Sequence, residues 1–193
     1  MAHGAGNDMH SPLLVGLTEG LAAAGIGSLR FNFPYKQQGR RAPDQPGVLR
    51  DAVTAAFQEA TRRARGGPVF AGGKSLGGRI ASLLVSDGLP TAGLVFVGYP
   101  LHPPGKPERL RDEHLAAIRV PMLFLEGTAD PFARWDLIKD VTRRLGKRAT
   151  LHPVEGGDHS FRVRGSKVPD DEIGRRLAAP AAEFIRGIVG PST

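Results

Sequence analysis

Apolar residues recur at helical spacing over Leu13, Leu14, Leu17, Leu21 and Ala24, which predicts an amphipathic helix. Ser11 and Pro12 supply its start, and Gly25 and Gly27 its stop. The stretch 28–33, Ser-Leu-Arg-Phe-Asn-Phe, reads as a strand, and 34–46 as a polar, proline-bearing loop. Val48, Leu49, Ala52, Val53, Ala56, Phe57 and Ala60 share one face of a predicted helix over 48–65. Residues 68–72 form a strand that runs into a glycine pair, and a helix follows to about residue 87. The runs 92–98 and 120–125 are apolar without alternation, as strands buried on both faces are. A short helix near 112–117, a helix over 132–145, a strand at 150–154, a polar loop at 155–169 and a helix at 171–189 complete the pattern.

Strands that alternate with helices predict an α/β fold, with a mostly parallel sheet covered by helices on both faces. A length of 193 residues suits one domain spanning 1–193. In such sheets the working groups collect on loops at the carboxyl ends of the strands. That rule selects 3–7, 33–35, Ser75, 99–102, Asp130 and 158–161.

Within the elbow stretch, Gly73-Lys74-Ser75-Leu76-Gly77 reads G-x-S-x-G. The chain reverses there from strand to helix in about two residues. Side chains two places before and after the Ser would collide with the strand and the helix, hence the glycines. The turn lifts the Ser75 hydroxyl above the sheet, beside a helix N-terminus whose free N–H groups favour developing negative charge. The letters Gly-Lys-Ser also end a phosphate-binding P-loop, but that motif needs Gly where Pro68 stands.

A nucleophilic Ser needs a base, and the base needs an orienting carboxylate. Asp130 follows a buried strand in a glycine-containing loop, and His159 follows the last strand. The order Ser75, Asp130, His159 is that of the G-x-S-x-G hydrolases. His102 and His114 flank a different strand, His152 lies inside a predicted strand, and His10 precedes the first helix. Asp136 falls within a helix, and Asp158 suits a loop-capping role.

Composition narrows the field further. There is no cysteine, so disulfides and thiolate metal sites are excluded, which fits a reducing compartment. No His–carboxylate group has ligand spacing, so no metal and no cofactor is expected. No apolar run approaches the roughly 20 residues of a membrane helix, and no signal peptide opens the chain. The expected location is the cytoplasm, without membrane contact. The net charge of +7 raises the question of nucleic acid. Its arginines cluster at predicted helix ends and in loops, without the interleaved aromatics of single-strand binders, so no nucleic-acid partner is expected.

Taken together, these residues resemble the small, capless α/β-hydrolases related to dienelactone hydrolase. They are most similar to the testis-expressed-protein-like or NSL-complex-subunit-like subgroup. The resemblance rests on His3-Gly4-Ala5-Gly6, Phe31-Asn32-Phe33-Pro34-Tyr35, Gly72-Gly73-Lys74-Ser75-Leu76-Gly77-Gly78-Arg79, Gly98 through Lys106, and Gly156-Gly157-Asp158-His159-Ser160-Phe161. It implies a three-layer α/β-hydrolase fold, a Ser75–Asp130–His159 triad and an oxyanion hole on the His-Gly-Ala-Gly loop. Dienelactone hydrolases proper use Cys as nucleophile. This chain departs from them there, and their substrate does not carry over. Some eukaryotic relatives serve as complex subunits.

The expected reaction is acyl transfer from a small ester or thioester to water, through an acyl-enzyme on Ser75. His159 would act as base, Asp130 as its orienting carboxylate, and the Leu76 and Ala5 N–H groups as the oxyanion hole. Phe33, Tyr35, Tyr99, Leu101 and Phe161 would line the substrate pocket. Lys74 and Arg79 flank the elbow, where they either attract an acidic substrate or point away. The alternative is a non-catalytic binding or scaffold protein on the same fold, and nothing in the sequence sets the oligomeric state. In the fold the resemblance implies, the His-Gly-Ala-Gly loop follows a buried strand between 28–33 and 68–72. Two residues precede His3, fewer than the roughly five of a strand. N-terminal strand sequence is therefore expected to be missing. A gap, a partner segment or a displaced N-terminus should then separate 28–33 from 68–72.

Overall fold

In the computed structural model, which describes residues 1–190, four parallel strands form one sheet in the order β1-β2-β3-β4. They are β1 (Phe70–Lys74), β2 (Gly93–Val97), β3 (Met122–Gly127) and β4 (Ala149–Val154). The ladders are unbroken, from Phe70 opposite Gly93 to Gly127 opposite Val154. The helices are α1 (Pro12–Ala23), α2 (Pro34–Gln37), α3 (Pro46–Ala64), α4 (Leu76–Ser86), α5 (Trp135–Leu145) and α6 (Asp170–Val189). A 3-10 turn at Glu113–Ala117 replaces the short helix expected there.

Two cores sandwich the sheet because neighbouring strand residues point to opposite faces. Leu94, Phe96, Met122 and Phe124 pack with Leu49, Val53, Ile80 and Ile138 of α3, α4 and α5. Val95, Val97, Leu123 and Leu125 pack with α1 and α6 through Leu14, Leu17, Ile173 and Leu177. This explains the unalternating apolar runs: both faces of β2 and β3 are covered. Helices α1 and α6 touch backbone to backbone, since a Cβ on Gly174 would lie 2.1 Å from the Leu13 carbonyl oxygen.

The expected strand at 28–33 does not form. Only Phe31 makes a bridge, parallel to Ala2, and Ala2 bridges Gly73 of β1 on its other side. The Ala2 N–H donates to Gly72 O at 3.1 Å, and Lys74 N–H donates to Ala2 O at 2.9 Å. A strand needs a ladder partner along its length, and one residue supplies a single rung. Beyond Ala2 the two segments are separated by a cavity of about 620 Å³ lined by Leu29, Phe31, Val53, Phe57 and Phe70, among others. The gap expected from the sequence is therefore present, with Ala2 as a wedge at its carboxyl end. The proline-bearing stretch after 33, read as loop, also contains α2, with Pro34 at its first position.

Candidate active site

Ser75 stands between β1 and α4 with φ 49° and ψ −115°, left-handed backbone that a non-glycine residue adopts at a cost. The flanking glycines are required by contact rather than by their own torsions. A Cβ on Gly73 would lie 2.3 Å from Ala2 O, and one on Gly77 2.5 Å from the same atom. The partner that forbids a side chain at both places is the Ala2 wedge, beyond the strand and helix considered from sequence. Leu76 opens α4, so its N–H has no acceptor inside the helix. Gly4 lies alongside, where a Cβ would come within 3.5 Å of the Ser75 Cβ.

The structure brings Ser75, His159 and Asp130 into one hydrogen-bonded chain. Ser75 Oγ and His159 Nε2 are 2.9 Å apart, and His159 Nδ1 and Asp130 Oδ2 are 2.6 Å apart. With the imidazole proton on Nδ1, the Ser75 hydroxyl donates to Nε2. Asp130 is buried, and its Oδ1 accepts the Phe132 N–H at 2.7 Å. Burial pushes its carboxyl up, but hydrogen bonding with His159 first, and with Glu126 second, outweighs that and holds it below the usual range. Asp158 accepts the N–H groups of Ser160 and Arg162, so it caps the loop that carries His159.

Several supports were not legible in the sequence. The Phe132 ring lies against the His159 imidazole, with centroids 4.3 Å apart. Buried His102 accepts the Arg134 N–H at 3.0 Å, and its own N–H donates to Phe132 O, which fixes the Asp130 loop from behind. Buried His3 accepts the Phe33 N–H on Nε2 at 3.1 Å and donates from Nδ1 to Gly4 O at 2.8 Å. That pairing requires the neutral ring, and burial lowers its pKa accordingly.

The expected pocket lining is overturned. Phe33, Tyr35, Tyr99, Leu101 and Phe161 are all at most 1% exposed and belong to the two cores. The tyrosine hydroxyls are satisfied internally: Tyr35 donates to Ala5 O at 2.8 Å, and Tyr99 to Arg111 O at 2.7 Å. Tyr35 thereby anchors the loop that carries Ala5. Lys74 is buried too and offers nothing to a ligand in the cleft, while Arg79 is half-buried. Leu76, next to Ser75, Phe132, against His159, and Ala5, next to Gly4, are partly exposed.

A second Ser–His contact exists. His114 Nε2 lies 2.8 Å from Ser82 Oγ. Ser82 has no exposed surface, and its hydroxyl donates to Arg79 O, so His114 is the donor in this contact. No carboxylate hydrogen-bonds to His114 among the described residues. Asp136, at the start of α5, pairs with Arg134 on the surface. Among the described residues no group of three or more His, Asp and Glu could hold a metal ion. No helix of the described residues is long and apolar enough to cross a membrane.

The fold recurs in solved structures. An α/β serine hydrolase homologue from Coxiella burnetii is 16% identical; the match covers 98% of this chain and 84% of that one, with a TM-score of 0.69. A serine hydrolase without a lid from Xanthomonas campestris is 18% identical, over 100% and 82%, with a TM-score of 0.71. The monoacylglycerol lipase of Paleococcus ferrophilus is 18% identical, over 94% and 92%, with a TM-score of 0.67. Such identities carry the fold alone. The longest connections here, 98–112 and 155–169, lie at the carboxyl end of the sheet without forming a separate lid. Residues 1–186 match the family described as an alpha/beta hydrolase domain, and the chain belongs to that family.

Proposed function

We propose that the protein is a serine hydrolase that cleaves a small ester or thioester through an acyl-enzyme on Ser75. The observation that carries this reading is the Ser75–His159–Asp130 chain, at 2.9 and 2.6 Å, on a left-handed elbow. His159 takes the Ser75 proton as Oγ attacks the carbonyl carbon, then passes it to the leaving alcohol or thiol. Water, deprotonated by the same imidazole, releases the acid and restores Ser75. Asp130 holds the Nδ1–H tautomer and stabilises the imidazolium. The N–H groups of Leu76 and Ala5 serve the oxyanion, a role worth roughly 3–4 kcal/mol where a single donor has been removed. Tyr35 and His3 keep the Ala5 loop in place.

Aromatic residues at the ends of the strands are turned into the cores, so the acyl group meets an open surface beside Leu76 and Phe132. This favours short or flexible acyl groups. The sequence kinship with the dienelactone-hydrolase-related, testis-expressed or NSL-subunit-like chains belongs to the same reading. So does a cytoplasmic small-molecule role with no nucleic-acid or membrane partner. Hydrolysis of p-nitrophenyl esters and acyl thioesters of graded chain length tests it. Turnover of short esters that disappears in Ser75→Ala supports the reading, and wild-type rates equal to those of the variant refute it.

A further inference from the structure

The hydrogen-bond chain does not stop at Asp130. Glu126, near the end of β3, has no exposed surface, and its Oε2 accepts the Tyr99 N–H at 2.8 Å. Its carboxyl is in hydrogen-bond contact with that of Asp130. The other oxygen, Oε1, is buried and meets no donor. Lys74 does not provide one: its Nζ is also buried without a hydrogen-bond partner and lies 5.9 Å from the Phe161 ring centroid. The charged groups that act on Glu126 are Asp130 on the loop after β3 and Lys74 at the end of β1; behind them, Asp158 acts on Lys74 and His159 on Asp130.

Two carboxyl groups in contact and out of water do not both stay ionised; the pair keeps a proton. Asp130 receives N–H donors on both oxygens and therefore keeps the charge. Glu126 has one donor and one orphaned oxygen, and a proton on that oxygen turns the contact into a hydrogen bond. We propose that Glu126 is a neutral carboxylic acid that donates its O–H to Asp130, a positioning residue that fixes the carboxylate facing His159. Burial first, and Asp130 second, push its carboxyl well above the ordinary range, in the same direction. The consequence for rate rests on the serine-hydrolase reading, whereas the protonation state does not.

The test uses the whole chain, with 13C-carboxyl glutamate for infrared spectroscopy and a fluorophosphonate for kinetics. At neutral pH the wild type should show a protonated carboxyl band that moves on 13C labelling and is missing from Glu126→Gln. If only ionised carboxylate bands change, the proposal is overturned, whether or not the protein reacts with the fluorophosphonate. Glu126→Leu, which loses the donor, should slow Ser75 labelling about tenfold or more. Glu126→Gln, which keeps it, should restore labelling to within about threefold, with the acidic limb of the rate–pH profile unmoved. A limb that moves to lower pH in Glu126→Gln would mean that a buried anion had been removed, and contradicts the proposal. Equal rates in wild type and both variants contradict it too. Absence of labelling in the wild type defeats the serine-hydrolase reading and leaves the infrared band to decide the state of Glu126.

Discussion

The two edges of β1 are built differently. Toward β2 it forms a ladder over all of Phe70–Lys74; on the other side, among the described residues, it bridges only Ala2, and a cavity of about 620 Å³ opens beyond. The closed part of that edge is the part under Ser75. Ala2 touches Gly73 and Gly77, and through His3 and Gly4 it delivers the Ala5 loop. The site therefore needs local closure at one end of the strand, and the open region lies away from the chemistry. A fold can keep a strained elbow in register with one well-placed rung, provided that the helix and the turn bear on it.

The largest expected effect separates the chemistry from the scaffold. Ser75→Ala should lower ester turnover by about a thousandfold or more while leaving the melting temperature nearly unchanged. A large stability loss would place Ser75 in the scaffold instead. The next contrast compares glycines of the two regions. Gly77→Ala forces a Cβ to within 2.7 Å of Ala2 backbone and side-chain atoms, and should cost about 1–3 kcal/mol in urea denaturation and reduce turnover. Gly27→Ala, on the cavity wall where a Cβ meets nothing within 4 Å, should leave both nearly unchanged. Equal effects would break the comparison.

Smaller effects sharpen it. Burial lowers the Lys74 pKa to about 8, against an ordinary 10.5. The unfolded chain thus holds more protons between those values, and this group makes stability rise with pH across that window. Lys74→Met should be more stable than wild type at pH 7, with an advantage that shrinks from pH 8 upward. An advantage that grows instead would reverse the sign. Tyr35→Phe removes the hydroxyl that holds Ala5 O and should cost about 1 kcal/mol, with a turnover loss of several-fold. Ala60→Leu, which reaches into the cavity, should gain about 0.5–1 kcal/mol at unchanged turnover, checked by the same denaturation curves.

Much of this was legible in the residues, for identifiable reasons. The apolar runs that became β2 and β3 are unalternating because two cores cover them. The elbow showed in its glycines, Asp130 in its place after a buried strand, and His159 in its place after the last strand. What the sequence hid was direction. An aromatic residue near the carboxyl end of the sheet can face a cleft or a core, and Tyr35 of α2 and Tyr99 after β2 turn inward, where backbone carbonyls satisfy their hydroxyls. The stretch 28–33 has the composition of a strand, but pairing is non-local, and among the described residues its only β-bridge is to Ala2. Glu126 looked like the first loop residue after an apolar run, whereas β3 continues to Gly127 and buries it.

Whether Ser75 is the nucleophile can be read by reacting the protein with a fluorophosphonate and locating the adduct by peptide mass spectrometry. The molecule offers its own control, since Ser82 also contacts a histidine but is buried and without a carboxylate relay. One adduct per chain is expected, on the peptide that carries Ser75, absent from Ser75→Ala and strongly diminished in His159→Ala. An adduct on Ser82, or a wild-type protein that takes up no label, would contradict it.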